Sequence, residues 1–181
     1  MVEHGDATFG LATESLDAYP SLVTRPAYTW RHCLVVPHGH PLATGEPPGL
    51  DELAALPLIT YTAEFAGRRN VDRAFAERGL TPDIVLEAID SDVIKTYVGL
   101  GFGVGLIAEI AFDAERDREL VTVDLSALLP PNTAKIAVRA GAFLRGFERR
   151  FLEVATDGAC GLPGSAPVSA LGQQPAAATA R

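Results

Sequence analysis

The middle of the chain alternates short apolar runs with segments whose apolar residues recur every three or four positions. Runs at 58–61, 83–89 and 104–107 predict buried strands, because each is short and rich in Ile, Val and Leu. Residues 68–78 and 91–99 carry apolar side chains at helical spacing and predict helices. Strands that alternate with helices pair in parallel, so this stretch predicts an α/β sheet.

Further elements are predicted on both sides of this unit. Phe143, Phe147 and Phe151 are spaced by four, which predicts an amphipathic helix near the end of the patterned region. The first predicted strand begins so close to residue 1 that nothing precedes it to pair with, and we therefore expect structure before it to be missing. These flanking elements are strands at 7–12, 31–36, 120–124 and 135–140 and a short helix at 50–56.

Composition narrows the class of protein. A chain of 181 residues with 48% hydrophobic residues can bury a core as one domain or two small lobes. Its net charge of −8 repels phosphate backbones, so we expect no tight DNA binding by these residues.

No apolar run approaches 18 residues and the first six residues lack a signal-peptide pattern, so we expect no membrane span and a cytoplasmic location. Residues 157–181 are rich in Gly, Ala and Pro and predict a disordered tail.

The glycine-rich run at 99–105 has two interpretations. A dinucleotide-binding loop requires a strand before the glycines and a helix after them, so that the helix N-terminus faces the pyrophosphate. Here a predicted helix precedes the glycines and a predicted strand follows them. The run therefore favours a tight helix-to-strand turn with close packing.

No residue is assigned to catalysis or to a metal. The sequence contains no nucleophile elbow, zinc-protease motif or Walker loop. His32 lies near His38 and His40 in sequence, but a zinc site needs ligands on rigid elements with Cys or carboxylate company, and the His-Pro-Leu string at His40 is typical of a loop. Cys33 lies in an apolar run and Cys160 in the tail, which favours core packing for Cys33 over redox sensing.

Hydroxyl side chains and a glycine follow predicted strands, where open α/β sheets bind ligands. Thr60 and Thr62 lie at the end of the strand 58–61, and Gly67 precedes the next helix. Thr13 follows the first strand in the same way. A helix N-terminus presents free N–H groups and partial positive charge, which suits a small anion. A second interpretation stays open, in which these hydroxyls only cap and close turns.

Eight strings occur in an order that resembles one family. They are ATE at 12–14, YTW at 28–30, HPL at 40–42, TYT at 60–62, FAGR at 65–68, GLTP at 79–82, DVIKTYV at 92–98 and GLGFGVG at 99–105. The order resembles the CysB-like branch of the LysR-type transcription regulators over about residues 2–151. The DVIKTYV and TYT strings are specific to that branch, whereas HPL alone would only indicate a LysR-type regulator.

The resemblance implies the fold. The expected fold class is α/β, a periplasmic-binding-protein-like (type 2) effector domain with one complete α/β subdomain and part of a second. Residues 36–114 would form the complete second subdomain, and residues 2–35 with 120–155 would form the partial first subdomain. The family's N-terminal winged helix-turn-helix would be absent, so DNA would be bound only through a domain that this sequence lacks.

The resemblance also implies a site and its partners. Thr13 matches an anion-site threonine, and Trp30 matches an aromatic residue beside the cleft. Ala66 stands where the family commonly has a threonine, so one hydroxyl donor is missing. The expected effectors are sulfate, thiosulfate, O-acetylserine or N-acetylserine, bound by a homo-oligomeric regulator without a cofactor.

Two alternatives to a regulator remain open. A free-standing solute-binding protein for a small oxyanion would need an export signal, and the sequence shows none. An α/β enzyme acting on a small acid would need a nucleophile and a base, and the sequence shows no such pair.

Overall fold

The structure is a computed structural model that describes residues 1–13, 16 and 19–156. The tail at 157–181, with its predicted disorder and Cys160, lies outside the described residues. In chain order the strands are β1 Gly10–Ala12, β2 Leu22–Trp30, β3 His32–Pro37, β4 Leu58–Tyr61, β5 Ile84–Ala88, β6 Val104–Ala108, β7 Leu120–Asp124 and β8 Asn132–Arg139. The helices are α1 Leu50–Ala54, α2 Ala66–Glu77, α3 Ser91–Gly99 and α4 Gly146–Thr156, with 3-10 turns at Pro41–Ala43 and Glu109–Ala111.

The larger sheet has five strands in the order β5-β4-β6-β3-β7. Strand β4 pairs in parallel with both β5 and β6, as the alternation of strands and helices predicted. Strand β3 pairs antiparallel with β6 on one side and with β7 on the other. The parallel α/β unit is therefore confirmed and is extended by two antiparallel strands.

Two apolar layers cover the faces of this sheet. Successive side chains of a strand point to opposite faces, and β3 shows this most clearly because it is buried on both. Leu34 and Val36 pack into the cluster that contains Val71 and Phe75 of α2. Cys33 and Val35 face the other cluster, which contains Ile94 and Val98 of α3. The two helices therefore lie on opposite faces, and both are positioned by the central strands.

The glycine-rich run is a turn, as predicted. Helix α3 ends at Gly99, β6 begins at Val104, and Gly101 between them has a φ of +81°, a conformation that favours glycine. A Cβ on Gly105 would lie 2.8 Å from Val98 of α3. These glycines let the chain reverse tightly and let α3 pack closely on β6.

The smaller sheet has three strands in the order β1-β8-β2, all antiparallel. Strand β2, at 22–30, was not predicted from the sequence. Pro26 interrupts this segment, and proline has no N–H for a sheet ladder. The strand accommodates it because β2 is an edge strand and its register shifts between Pro26 and Tyr28.

The sheet boundary differs from the expected subdomain boundary. Residues 32–35 and 120–124 were expected with the first subdomain, yet β3 and β7 hydrogen-bond within the five-stranded sheet. Only Arg31 separates the end of β2 from the start of β3, so the chain passes from one sheet to the other at that residue. The connection between β7 and β8 returns the chain from the five-stranded sheet to the three-stranded sheet. The division into subdomains itself stays a prediction.

In the part of the chain that the structure describes, no helix is long and apolar enough to cross a membrane.

Candidate functional site

The candidate site lies where the chain passes between the two sheets. Trp30 is the last residue of β2, and His32 is the first residue of β3. Asn132, which begins β8, pairs with Trp30 in the smaller sheet. The first turn of α2, which starts at Ala66, packs against this group.

Trp30 and Gly67, both expected at the site, are in direct contact. A Cβ built on Gly67 would overlap the ring edge of Trp30 and would lie 3.1 Å from its Cζ2 atom. The same Cβ would lie 3.2 Å from Nε2 of His32. Glycine is therefore required here by close approach, because any side chain would displace the indole from the first turn of α2.

A directed chain of side-chain hydrogen bonds runs beneath this contact. Asn70 of α2 donates from Nδ2 to Oδ1 of Asn132 at 2.6 Å. The Nδ2 of Asn132 then faces Nδ1 of His32 at 3.3 Å. An amide NH₂ group only donates, so Nδ1 of His32 is the acceptor and the proton of the neutral ring is on Nε2.

The Nε2–H of His32 has no partner within the described residues. His32 is 2% exposed, and burial lowers its pKa to about 4, so the ring is neutral near pH 7. The ring of Trp30 meets the imidazole edge-on, with centroids 4.9 Å apart. The site thus contains one buried, neutral and unsatisfied donor beside the start of a helix.

The first turn of α2 has its own free donors. Among the residues that the structure describes, no side chain caps it at Phe65, and its first turn contains no acidic residue. The guanidinium of Arg68 is buried beneath the turn and donates to the carbonyl of Tyr61 at 2.7 Å. Asp72 and Glu87 both pair with the guanidinium and neutralise it, so the attraction for an anion comes mainly from the backbone N–H groups and the helix dipole.

The hydroxyls of the two predicted site threonines, Thr60 and Thr62, already make hydrogen bonds within the protein. Thr60 is buried, and its hydroxyl donates to the carbonyl of Leu106 at 2.9 Å, which ties β4 to β6. The Glu64 backbone N–H and the Thr62 hydroxyl both bind the Glu64 carboxylate and hold its pKa below the usual value. Thr60 thus has a structural partner, and Thr62 would have to release Glu64 before contacting a ligand.

Thr13 lies at the same end of the smaller sheet as Trp30. Ala12 pairs with Lys135 of β8, and Trp30 pairs with Asn132 three residues away. Three residues of a strand span about 10 Å. The register therefore brings Thr13 toward the junction, whereas Trp30 and Gly67 are brought into contact there.

An open cleft of about 380 Å³ lies elsewhere and shares no residue with the predicted site. It runs between α3 and residues 116–120, and its one lysine, Lys95, is bonded to the Ala111 carbonyl and to two carboxylates. Within the described residues, no group of three or more His, Cys, Asp and Glu could hold a metal ion.

Cys33 is packed in the core and stays a thiol. Burial, with Glu109 and Asp124 nearby, raises the pKa of Cys33 to about 12. A thiol that does not ionise near pH 7 is a poor nucleophile, which fits the packing interpretation.

Three polar residues beneath the site, His32, Asn70 and Asn132, were not predicted from the sequence as site residues. His32 was considered only as a metal ligand, and Asn70 and Asn132 were not singled out. The one available signal was a histidine at the start of an otherwise apolar strand, His32-Cys33-Leu34-Val35-Val36. Its partners come from residues 70 and 132, and only the folded chain brings them together.

The family model and the similar proteins found by comparison all point to one family. The family model described as the LysR substrate binding domain matches residues 1–159. The chain is 48% identical over 154 residues to the HTH-type transcriptional regulator SsuR of Burkholderia cenocepacia, covering 85% of this chain and 50% of that protein. It is 50% identical over 154 residues to CysB of the same organism, covering 85% of this chain and 49% of that protein. The chain thus spans about half the length of these curated relatives.

A solved structure supports the fold. The cofactor-binding domain of the Cbl transcriptional regulator superposes with a TM-score of 0.80 at 44% identity, covering 85% of this chain and 68% of that chain. The likeness confirms the expected type 2 periplasmic-binding-protein-like fold. Both curated relatives are named as transcriptional regulators.

Proposed function

Because the chain belongs to the LysR substrate-binding domain family, we propose that it is the effector-sensing part of a transcription regulator of cysteine biosynthesis or sulfur assimilation. The effector is a small anion or acetylated serine: sulfate, thiosulfate, O-acetylserine or N-acetylserine. It binds at the start of α2, where Gly67 meets Trp30. That contact between two separately expected site residues is the observation that carries the proposal.

The chemistry of this junction suits an anion. The uncapped first turn of α2 offers backbone N–H groups near Ala66 and Gly67. Ala66 adds no hydroxyl, so compared with a threonine the site loses one neutral hydrogen bond worth about 0.5–1.5 kcal/mol and keeps the backbone N–H groups. Thr13 and Thr62 are the candidate hydroxyl donors, and Thr60 holds β4 in place through its bond to the Leu106 carbonyl.

The proposed output is a population shift. The effector lies between the first turn of α2 and the point where the chain passes from β2 to β3. It therefore stabilises one arrangement of the two sheets relative to another. In a homo-oligomer this difference changes how the subunits present DNA-binding domains, which in such regulators lie outside the segment matched here. A protein that regulates bacterial transcription in this way works in the cytoplasm.

Trp30 provides a direct test, since it is the chain's one tryptophan. We expect saturable changes in its fluorescence with at least one of the four compounds, and none with chloride at matched ionic strength or with serine. Specific binding should also stabilise the chain by about 2.7 kcal/mol at a hundredfold excess over Kd. The Gly67→Ala variant should bind more weakly because its methyl group occupies the space beside Nε2 of His32 and the first turn of α2 that the ligand needs. Gly39→Ala, where a Cβ meets nothing within 4 Å, is the matched control.

The absence of any saturable response, from a chain whose circular dichroism shows it folded, would reject the proposed effectors. Turnover of acetylserine by the pure chain would instead favour the enzyme alternative.

A further inference from the structure

Among the described residues, Nε2 of His32 is a buried side-chain nitrogen without a hydrogen-bond partner. The opposite ring nitrogen is held by Asn132. A buried donor without an acceptor costs about 1–3 kcal/mol, so proteins rarely retain one without a use. The atom it would donate to must come from a ligand or from a rearrangement beside it.

Position identifies the space that this donor faces. Nε2 of His32 lies 3.2 Å from the point where a side chain on Gly67 would begin, at the first turn of α2. The edge of the Trp30 ring fills that point. A ligand that reaches the amides of the turn must therefore move the indole, and by doing so it uncovers the Nε2–H.

We propose that His32 is a ligand-binding and specificity-determining residue of this site, donating Nε2–H to an oxygen of the effector's anionic group. Asn70 and Asn132 are positioning residues, since they fix the tautomer that makes His32 a donor. The inference rests on the proposed function and adds to it the residue that relays binding to β3.

The donor's chemistry defines the ligand class. The Nε2–H of His32 and the backbone N–H groups of α2 can only donate, so the ligand atoms that they hold must accept. Such a set favours an anionic group that carries no proton, such as sulfate, thiosulfate or a carboxylate. Hydrogen phosphate brings a hydroxyl that needs an acceptor, so it should bind this site more weakly.

The first test observes the ring nitrogens of His32 directly, by NMR of the chain labelled with ¹⁵N-histidine. The free protein should show His32 as the neutral Nε2–H tautomer. Each of the four compounds is then added in turn, with chloride and hydrogen phosphate as comparisons. The Nε2–H signal should shift and saturate at the same Kd as the Trp30 fluorescence.

The second test uses variants. His32→Phe keeps the ring and removes the donor, and it should weaken binding about 10- to 100-fold, as expected for a hydrogen bond to a charged group. His32→Gln keeps an N–H donor and should lose less. His38→Phe, at an exposed histidine that contacts the Arg118 carbonyl, is the control and should bind normally.

The outcomes separate the two proposals. Fluorescence that saturates while the Nε2–H signal stays fixed, or while His32→Phe binds as tightly as the native chain, overturns the role of His32 and leaves the sensor intact. Failure of all four compounds to change either signal overturns the proposed function itself. If His32→Phe does not fold, the NMR titration of the native chain decides.

Discussion

His32 makes the stability of the chain depend on pH. Burial lowers its pKa from 6.5 to about 4, whereas the unfolded chain keeps the ordinary value. Between these values the unfolded state binds a proton that the folded state does not. The free energy of unfolding therefore falls as the pH drops from 6.5 toward 4, by about 3 kcal/mol at the lower end.

Comparison with His32→Gln isolates this contribution, because the carboxylates titrate alike in both proteins. Urea unfolding at several pH values between 4 and 7.5 should show the native chain losing stability relative to the variant as the pH falls. Above about pH 6.5 the difference between the two should stay constant. Parallel curves across the whole range would contradict the assigned pKa of His32.

At the scale of elements, α3 is held in place by a buried lysine. Lys95 of α3 donates to the carbonyl of Ala111 and to Asp117, each at 2.9 Å, and it pairs with Asp92 in its own first turn. The side chains of Lys95 and Asp117 are only 8% and 12% exposed. Helix α3 is thus tied to the segment that leads from β6 to β7.

Lys95→Met should destabilise the fold by about 3 kcal/mol, because it removes the cation from the buried Asp117 carboxylate and leaves it the hydrogen bond from the Asp113 N–H. Arg116→Met is the control, since Arg116 is 84% exposed and lies 3.7 Å from Asp113. That exposed pair contributes at most about 1 kcal/mol. Urea unfolding measures both variants, and equal losses would show that the Lys95 network is not special.

Strand β2 shows how an element can be missed. Its sequence contains Pro26, which lowers the expectation of a strand wherever neighbouring strands are unknown. The bulge after Pro26 and the edge position of β2 remove that objection, but both depend on pairing with β8. By contrast, α3 was predicted with its bounds, and its cap is local, since Asp90 accepts from the N–H of Asp92.

At the scale of the whole molecule, the described part of α4 leaves an apolar face open to solvent. Phe143 before the helix and Phe147 and Phe151 on it are 88%, 68% and 52% exposed. No residue of α4 is buried, although Phe151 contacts Phe9 with ring centroids 5.0 Å apart. Phe147 and Phe151 lie one turn apart on α4, and exposed aromatic residues placed in this way make an apolar patch of the kind that drives association.

We expect this chain, as it stands, to self-associate through that patch. Sedimentation velocity over a range of concentrations should show mass increasing with concentration. Exchanging Phe143 and Phe147 for serine should reduce the association. Phe102→Ser, at a residue 60% exposed on the turn after α3, is the control and should have less effect. A native chain that remains monomeric throughout would contradict this expectation.

The sequence by itself determined the α/β unit, because hydrophobic periodicity, helix caps and glycine turns act over a few residues. It also indicated the family, and through it Trp30 as a site residue, whereas Gly67 was predicted from its place between a strand and a helix. Only the tertiary structure decided that these two residues touch, that the Thr60 hydroxyl is used within the sheet, and that His32 is held by Asn132. Each of these joins positions more than 30 residues apart, and such contacts depend on how the sheets pack rather than on any local pattern.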